Sequence, residues 1–235
     1  MKALLLAAGL GTRLRPITNT IPKCLVPING KPLLSYWLEN LSIVGVDEFL
    51  INTSYLSKQV EDFVQKSKFK DKITLVYEEE LLNTGGTIVK NSDFFKDESF
   101  MLVHADNLSF CNFDEFITSH TLRPENCELT MMLFNTDNPQ SCGVVELDGL
   151  DRVVQFYEKV KNPPSHLANG AVYICEPSII EFCKSLNKNE IDFSNDVLPN
   201  FMGKINTYLN DVYHRDIGNI ESYAKAQIEI KKFIP

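Results

Sequence analysis

The stretch LLLAAGLGTRLRPITNTIPKCLVPI, residues 4–28, decides the fold. It begins as an apolar run without alternation, which is typical of a strand buried on both faces of a parallel sheet. The run stops at Gly9 and Gly11, where the backbone can turn tightly and bring N–H groups close to an anion. Basic residues follow at once, so the stretch predicts a buried strand that ends in an anion-binding loop.

The charge distribution supports this prediction. Residues 1–38 contain five basic residues and no Asp or Glu, although the chain as a whole has a formal net charge of −8. A positive segment within an acidic protein suits a small phosphorylated ligand, and chance clustering is the alternative. Lys2, Arg15 and Lys31 are expected on solvated surface. The acidic total argues against a nucleic-acid partner, because such affinity depends on Lys and Arg.

The cysteine pattern and the apolar runs predict a cytoplasmic protein. No C-x-x-C pair occurs among the six cysteines, and several lie in apolar runs, where Cys acts as a small buried hydrophobe. This indicates reduced thiols and no zinc site. The N-terminal apolar run is too short for a convincing signal peptide. No run approaches the length of a transmembrane helix, so no membrane partner is expected.

Hydrophobic periodicity predicts one α/β domain over residues 1–235. The segments expected to be strands are 2–9, 47–52, 72–79, 99–107, 128–134, 142–147, 152–159, 169–175 and 207–218. The segments expected to be helical are 30–45, 57–66, 84–95, 177–186, 192–201 and 219–233. The early alternation of strand and helix implies parallel strands covered on both faces. Ligands bind such sheets at the carboxyl ends of the strands.

Arg13 and Lys23 are the cations placed to meet an anion at the glycine loop. Arg13 can make charge-assisted, bidentate contacts with phosphate oxygens, and Lys23 follows Pro22. The loop is not a dinucleotide fingerprint, because Leu14 stands where the third glycine of G-x-G-x-x-G would fall. It is not a P-loop, because no G-K-[ST] follows. A G-x-G pair alone is equally typical of a structural turn.

The stretch from Leu6 to Pro27 resembles the signature of the sugar-1-phosphate nucleotidyltransferases, roughly L-x-x-G-x-G-T-R-L-x-P-x-T-x-x-x-P-K-x-L-x-P. Later segments resemble the family's other motifs in the same order: EEELLNTGGTI, HADN, GVVELDGLDRVVQFYEK, NGAVYI and DIGNIESY. The resemblance implies a Rossmann-like mixed, mainly parallel sheet flanked by helices, of the nucleotide-diphospho-sugar transferase type. It also implies the reaction of an NTP with a sugar-1-phosphate to give an NDP-sugar and pyrophosphate, with Mg²⁺ as cofactor.

The resemblance implies a nucleotide-binding half over residues 1–110. Arg13 and Lys23 would be catalytic: Arg13 would stabilise the leaving pyrophosphate, and Lys23 would hold a phosphate near the reacting centre. The nucleotide-binding residues would be Leu6, Ala8, Gly9, Gly11, Thr12, Arg13, Glu80, Thr84, Gly85 and Gly86. For the segment NTGG, a helix start capped by Thr84 is the alternative.

Asp106 and Asp216 are the predicted metal ligands. Asp106 ends an apolar strand before a polar loop, where a carboxylate can hold Mg²⁺, although a turn-forming Asp is the alternative. The resemblance implies that Asp216 is the second ligand. His104 is expected to be structural, because the attacking sugar phosphate is already an anion and needs no base.

The resemblance implies a sugar-phosphate-binding half over residues 111–235. Its binding residues would be Gly143, Glu158, Lys159, Asn169 and Gly170. Glu158 would accept sugar hydroxyls and Lys159 would contact the phosphate. The alternative is an exposed salt bridge between these two neighbours.

The sequence departs from the family pattern in local geometry. Cys24 replaces a common proline, Ala105 replaces the glycine before the metal Asp, and Val160 replaces the proline of E-K-P. The segment DIGNIE replaces D-I-G-T-P-E. None of these changes removes a charged functional residue.

The segments SYLSKQVEDF, YEEELLNTGG and NGAVYI resemble the mannose- and heptose-1-phosphate guanylyltransferases of this family. The resemblance favours GTP and a mannose- or heptose-type sugar-1-phosphate as substrates. Thymidylyl, uridylyl or cytidylyl transfer to another sugar or alcohol phosphate is the first alternative. A non-catalytic regulatory protein that binds an NDP-sugar is the second, and the presence of Arg13, Lys23, Asp106 and Asp216 argues against it. We expect a single activity, and a homodimer is the default assembly.

Overall fold

In the computed structural model, residues 1–233 are described. The strands of this part of the chain are β1 Lys2–Leu6, β2 Pro27–Ile28, β3 Lys31–Pro32, β4 Glu48–Thr53, β5 Ile73–Tyr77, β6 Phe100–His104, β7 Asn107–Phe110, β8 Leu129–Asn135, β9 Gly143–Leu147, β10 Val153–Glu158, β11 Leu167–Cys175, β12 Ile205–Leu209 and β13 Tyr213–Asp216. The α-helices are α1 Leu33–Ile43, α2 Ser57–Lys66, α3 Asn83–Lys90, α4 Ser92–Phe95, α5 Phe113–Thr121, α6 Pro177–Ser185 and α7 Ile220–Glu229.

The chain forms two compact units, and each is built from separate stretches of sequence. Of the described residues, unit 1 comprises residues 1–81, 103–111 and 212–233. Unit 2 comprises residues 82–102 and 112–211. The nucleotide-binding and sugar-phosphate-binding halves expected from the sequence stay predictions.

Unit 1 is organised around parallel strands. β4 lies between β1 and β5 and runs parallel to both. Ala3, Leu4 and Leu5 of β1 are completely buried. Burial without alternation is what a parallel strand covered on both faces requires, so the opening strand of the sequence is confirmed.

A second core cluster in unit 1 supports the loops around the parallel strands. It combines residues from the segment 14–28, α1, β7 and the segment 217–230, namely Leu14, Val26, Ile28, Leu33, Tyr36, Leu108, Ile217, Ala226 and Ile230. Trp37 on α1 adds a polar tie, because its Nε1–H donates to the carbonyl of Asn107 at 2.7 Å. The start of β7 is therefore fixed to α1.

Unit 2 is mainly antiparallel. β11 pairs in antiparallel fashion with β8 and β9, β9 pairs with β10, and β12 runs parallel to β8. The register of β11 against β8 shifts between Asn169 and Tyr173, which marks a bulge. The two units together confirm the predicted class, a mixed sheet with flanking helices.

Four sequence-based expectations need correction. β7 and α5 were not predicted, since β7 is too short to show a period. Residues 207–218 are not one strand, because β12 pairs with β8 whereas β13 pairs with β7. Residues 192–201 are helical without being one regular helix. They form a π turn and then a 3₁₀ turn that contains Pro199, which has no N–H for a helical hydrogen bond.

Helix length and the state of the cysteines are two further features of the described residues. Within residues 1–233, no helix is both long enough and apolar enough to span a membrane. All six cysteines are free thiols, and Cys24, Cys127, Cys175 and Cys183 are buried. Burial raises the pKa of Cys24 and of Cys183 to about 12, so these thiols stay protonated at neutral pH.

Candidate active site

A buried hydrogen bond fixes the start of the glycine loop at the end of β1. Asn52 on β4 accepts a hydrogen bond from the backbone N–H of Ala7 at 2.7 Å, and only 4% of Asn52 is exposed. Gly9 follows in open space, since a β-carbon there would meet nothing within 4 Å. The loop is therefore anchored at its start and accessible at Gly9.

Gly11 is required by packing inside the protein. Its φ of +62° lies in the left-handed region, and a β-carbon would stand 2.9 Å from Thr18 Cγ2 and 3.3 Å from Lys23 Cβ. The hydroxyl of Thr18 donates to the Gly11 carbonyl at 2.7 Å. Gly11 thus ties the loop to the segment that carries Lys23.

The basic residues of the first segment have different environments. Arg13 lies in a 3₁₀ turn beside the buried Leu14, is exposed, and forms no ion pair within the described residues. Lys31 pairs with Glu39 at 2.5 Å. The surface expectation was wrong for Lys2, which is 6% exposed and lies 3.8 Å from Glu48. The long alkyl stem of Lys2 explains its burial, because it packs while the ammonium reaches a carboxylate.

Lys23 connects the two predicted metal ligands. Its Nζ lies 2.7 Å from Asp106 Oδ2 and 3.5 Å from Asp216 Oδ1. The Lys23 side chain is 7% exposed, whereas those of Asp106 and Asp216 are 40% and 51% exposed. Two carboxylates that are distant in sequence therefore converge on one buried ammonium.

The β7–β13 ribbon produces this convergence. Asp216 is paired with Asn107, and the N–H of Ile217 donates to the carbonyl of Asp106 at 3.2 Å. Ala105 is completely buried, its φ is outside the left-handed region, and its N–H donates to the Leu6 carbonyl at 3.1 Å. Alanine therefore fits where the family pattern has glycine.

The charges at this cluster favour an ionised Asp106 and a neutral His214. Burial raises the pKa of Asp106, but the Lys23 ammonium and His104 outweigh it and hold that pKa below its ordinary value. Burial lowers the pKa of His214 to about 4, with Arg215 acting in the same direction and Asp106 against it. His214 is therefore uncharged at neutral pH.

The donor set at the Lys23 cluster fits Mg²⁺. Asp106 and Asp216 offer hard oxygen ligands to one point already held by a cation. Mg²⁺ takes one or two protein carboxylates and completes its shell with water and phosphate oxygens. Among the described residues, no group of three or more His, Cys, Asp or Glu side chains could hold a metal.

In unit 2, Gly143 makes room for Glu158. A β-carbon on Gly143 would stand 2.5 Å from Phe156 Cζ and 2.6 Å from Glu158 Oε2. The Glu158 carboxylate also lies 2.7 Å from the Lys159 ammonium. Lys159 has a φ of +50°, a strained conformation for a side-chain-bearing residue, and such strain is frequent at functional sites. The predicted salt-bridge and binding roles of this pair both fit these contacts.

Asn169 and Gly170 lie in the bulge of β11. Asn169 Oδ1 accepts from the N–H of Ala171 at 2.9 Å, and its Nδ2 donates to the Tyr173 hydroxyl at 2.6 Å. β11 meets β9 at Ala168 and Val144, so the bulge lies next to Gly143 in the sheet. Bulges re-aim side chains beside binding sites.

The segment 84–86 serves packing as well as its predicted nucleotide role. α3 begins at Asn83, whose φ is +58°, so the alternative of Thr84 as helix cap is wrong. The Gly85 N–H donates to the Ile191 carbonyl at 2.9 Å, and a β-carbon there would meet Ile191 Cγ2 at 2.5 Å. A β-carbon on Gly86 would overlap the carbonyl of Asn189. Both glycines are thus needed for close packing against residues 189–191.

The remaining predicted nucleotide-binding residues flank these features. Leu6 is partly exposed, Ala8 is buried, and Thr12 and Glu80 are exposed. The predicted roles of all site residues stay predictions. Sequence reasoning missed Thr18, Asn52 and Ile191, which hold the loops through contacts that no local pattern shows.

Comparison with known proteins agrees with the arrangement in unit 1. Residues 2–232 match the family model described as nucleotidyl transferase. The chain belongs to this family.

Two relatives of this family member are named as guanylyltransferases. The chain is 30% identical to a mannose-1-phosphate guanylyltransferase of Mycobacterium tuberculosis, over 99% of this chain and 65% of that protein. It is 30% identical to the D-glycero-alpha-D-manno-heptose 1-phosphate guanylyltransferase of Aneurinibacillus thermoaerophilus, over the full length of both. The family member thus spans less than two thirds of the first of these relatives.

A solved structure is similar over nearly the whole family member. HddC from Yersinia pseudotuberculosis, in complex with GMP-PN, matches with a TM-score of 0.81 and 29% identity. The match covers 99% of each chain. The Rossmann-like fold expected from the sequence is therefore confirmed.

Proposed function

We propose that the protein transfers a nucleotidyl group from an NTP to a sugar-1-phosphate and releases pyrophosphate. The observation that carries this proposal is the convergence of Asp106 and Asp216 on the buried Lys23 ammonium. The glycine loop is tied to the same lysine through Gly11 and Thr18. This combination supplies both cationic and carboxylate groups for a polyphosphate and its metal ion.

The chemistry requires little covalent work from the protein. An oxygen of the sugar phosphate attacks the α-phosphorus of the NTP, a new P–O bond forms, and the bond to pyrophosphate breaks. The crowding of negative charge is the main barrier, so positioned cations lower it. Exposed Arg13 would bind the leaving pyrophosphate, and Lys23 would contact phosphate near the reacting centre.

Asp106 and Asp216 would hold Mg²⁺ in this reaction. When bound, Mg²⁺ would neutralise phosphate charge and orient the phosphates for in-line attack. Because both carboxylates also contact Lys23, the lysine screens their mutual repulsion and keeps them close together.

Unit 2 would bind the sugar phosphate. Glu158, fixed beside Gly143, would accept hydrogen bonds from sugar hydroxyls, and Lys159 would contact the phosphate. The Lys159 side chain is 62% exposed and can reach a ligand without breaking a buried contact. Asn169 and Gly170 in the neighbouring bulge would complete this surface.

We favour GTP and a mannose- or heptose-type sugar phosphate as substrates. The names of two relatives at 30% identity support this choice, and one of them matches over its full length. We further propose a cytoplasmic location, which the six free thiols suit. A homodimer stays a prediction that light scattering coupled to size-exclusion chromatography would check.

The test is pyrophosphate release from five nucleoside triphosphates, each combined with several sugar-1-phosphates in the presence of Mg²⁺. The expected result is one strong pair, formed by GTP and a mannose- or heptose-type sugar phosphate. A strong pair with another base would contradict the substrate choice and leave the reaction class intact. No turnover on any pair, together with measurable binding of an NDP-sugar, would favour a regulatory protein instead.

A further inference from the structure

Gly218 lies against the carboxylate of Asp216. A β-carbon built on Gly218 would overlap Asp216 Oδ2 and would stand 3.1 Å from Cγ and 3.2 Å from Oδ1. No atom outside Asp216 is among its three nearest neighbours. The space that a side chain at position 218 would fill is therefore the space that the carboxylate takes.

Backbone geometry does not explain the glycine at position 218. Its φ lies outside the left-handed region, in contrast to Gly11 with a φ of +62°. Alanine could adopt this backbone without strain. Gly218 is buried, and the preceding residue Ile217 belongs to the core cluster of unit 1. The backbone at position 218 therefore cannot move away to relieve a contact.

The same carboxylate also contacts Lys23. Asp216 Oδ1 lies 3.5 Å from the Lys23 ammonium, which itself lies 2.7 Å from Asp106. Asp216 is half exposed, so its side chain has room to rotate toward solvent. The β-carbon of an alanine would drive that rotation and separate the two carboxylates.

We propose that Gly218 is a positioning residue that keeps the Asp216 carboxylate beside Lys23 and Asp106, where the pair can bind a divalent cation. The inference rests on the proposed function, because it assigns Gly218 a role in holding the predicted Mg²⁺ ligands. Gly218 itself contributes no ligand atom to this role. Because Gly218 has no side chain, it leaves the space that the Asp216 carboxylate occupies.

The experiment compares Mn²⁺ binding by wild type, Gly218→Ala and Gly149→Ala, measured by electron paramagnetic resonance with and without GTP. Gly149 is the matched control, because its β-carbon would meet nothing within 4 Å and its φ is also outside the left-handed region. We expect the Mn²⁺ affinity of Gly218→Ala to fall about 10- to 100-fold, as for other residues that orient metal ligands. Gly149→Ala should bind as wild type does.

Two further readouts separate positioning from a general effect on the fold. The melting temperature of Gly218→Ala should stay within about 4 °C of wild type, because the end of a flexible side chain gives way. Raised Mg²⁺ should restore much of the turnover of this variant. A variant with wild-type Mn²⁺ affinity would overturn the inference and leave the proposed function standing.

A double-mutant cycle tests whether Gly218 affects metal binding through the Asp216 carboxylate. Gly218→Ala should weaken Mn²⁺ binding in wild type and add nothing in the Asp216→Asn background. A further tenfold loss there would overturn the inference. If Gly218→Ala alone does not fold, Asp216→Ala should restore folding, and failure to do so would equally overturn it. If wild type binds no Mn²⁺ with or without GTP, the proposed function fails first.

Discussion

Two glycines in different units make room for a carboxylate, and their surroundings differ. In unit 1, the three atoms nearest to the β-carbon of an alanine at position 218 would all belong to Asp216. In unit 2, the β-carbon of an alanine at position 143 would meet the ring of Phe156 as well as Glu158. A carboxylate can rotate away, whereas a ring packed in a sheet cannot do so as easily. We therefore expect replacement of the first glycine to affect mainly the proposed function, and replacement of the second to lower stability as well.

The partners of the two carboxylates differ in the same way. Asp216 shares a buried ammonium with Asp106, so two negative charges are held around one cation. Glu158 pairs with Lys159, whose side chain is 62% exposed. The first arrangement suits exchange of a cation for a metal ion, and the second suits hydroxyl and phosphate groups of a ligand. A glycine that leaves space for a carboxylate would thus support metal binding in unit 1 and sugar-phosphate binding in unit 2.

The largest effect is expected from Asp106→Asn in unit 1. The amide keeps the shape of the side chain but loses the charge that binds Lys23 and the predicted Mg²⁺. We expect kcat/KM for pyrophosphate release to fall about 10²- to 10³-fold, since a bound metal supplies several kcal/mol. The melting temperature should change little, because Asp106 is 40% exposed.

Asp71→Asn is the matched control for this prediction, because Asp71 is exposed in a turn of the same unit. It should keep wild-type activity. Near-normal turnover by Asp106→Asn would show that Asp106 is not a metal ligand, and the contrast between the two units would then lose its chemical basis.

The sequence predicted the parts of unit 1 that depend on local pattern. The unbroken apolar run of β1, the turn at Gly9 and Gly11, and the polar end of β6 at Asp106 all follow from residue type and order. The placement of Asp106 and Asp216 around one ammonium depends on the pairing of β13 with β7, a four-residue strand that shows no period. Their convergence on Lys23 was therefore not visible before the fold was known.

The sequence was less informative where a glycine serves packing. Gly85 and Gly86 were predicted to bind the nucleotide, which stays a prediction, and their packing role against Ile191 and Asn189 was not foreseen. The reasons for Gly143 and Gly218 are likewise contacts in space. Helix α5 could have been found, because Asn112 caps the N–H of Glu115 in the pattern expected at a helix start.

Glu158→Gln should change sugar-phosphate binding and leave metal binding unaltered. Loss of one charge-assisted hydrogen bond costs about 1.5–3 kcal/mol, so KM for the sugar phosphate should rise about 10- to 100-fold. The Mn²⁺ affinity should equal that of wild type. Initial rates over a range of sugar-phosphate concentrations measure the first quantity, and spin resonance measures the second. The exposed Glu125→Gln is the control, and a changed Mn²⁺ affinity would contradict the division of roles.

Gly143→Ala tests the steric side of the comparison. The β-carbon must displace the Phe156 ring, and overpacking of this kind typically lowers the free energy of unfolding by about 1–3 kcal/mol. Gly149→Ala in the same unit should stay within about 0.5 kcal/mol of wild type. Chemical denaturation with urea measures both values. If Gly143→Ala is no less stable than Gly218→Ala, the difference drawn between the two glycines is wrong.

The smallest effect is expected at a third carboxylate, Glu176 in unit 2, which has a structural role. Its Oε1 lies 2.9 Å from His120 Nε2 and 2.5 Å from Arg123 Nη2. Burial, followed by the charge of Arg123, lowers the pKa of His120 to about 4 although Glu176 opposes this. The imidazole is therefore neutral in the folded protein at pH 6, whereas a large share of unfolded chains binds a proton there.

Since the unfolded state binds more protons between pH 6.5 and 4, stability is complete above pH 6.5 and falls as the pH drops through this window. Between pH 7 and 6, protonation of His120 in the unfolded state lowers the free energy of unfolding by on the order of 0.5–1 kcal/mol, and His120→Gln should remove this loss. The part of the pH-dependent loss of stability that is due to His214, whose pKa is also about 4, should remain. His166→Gln is the control in the same unit, and urea denaturation at both pH values is the measurement. An unchanged slope in His120→Gln would mean that this buried network does not couple protonation to folding.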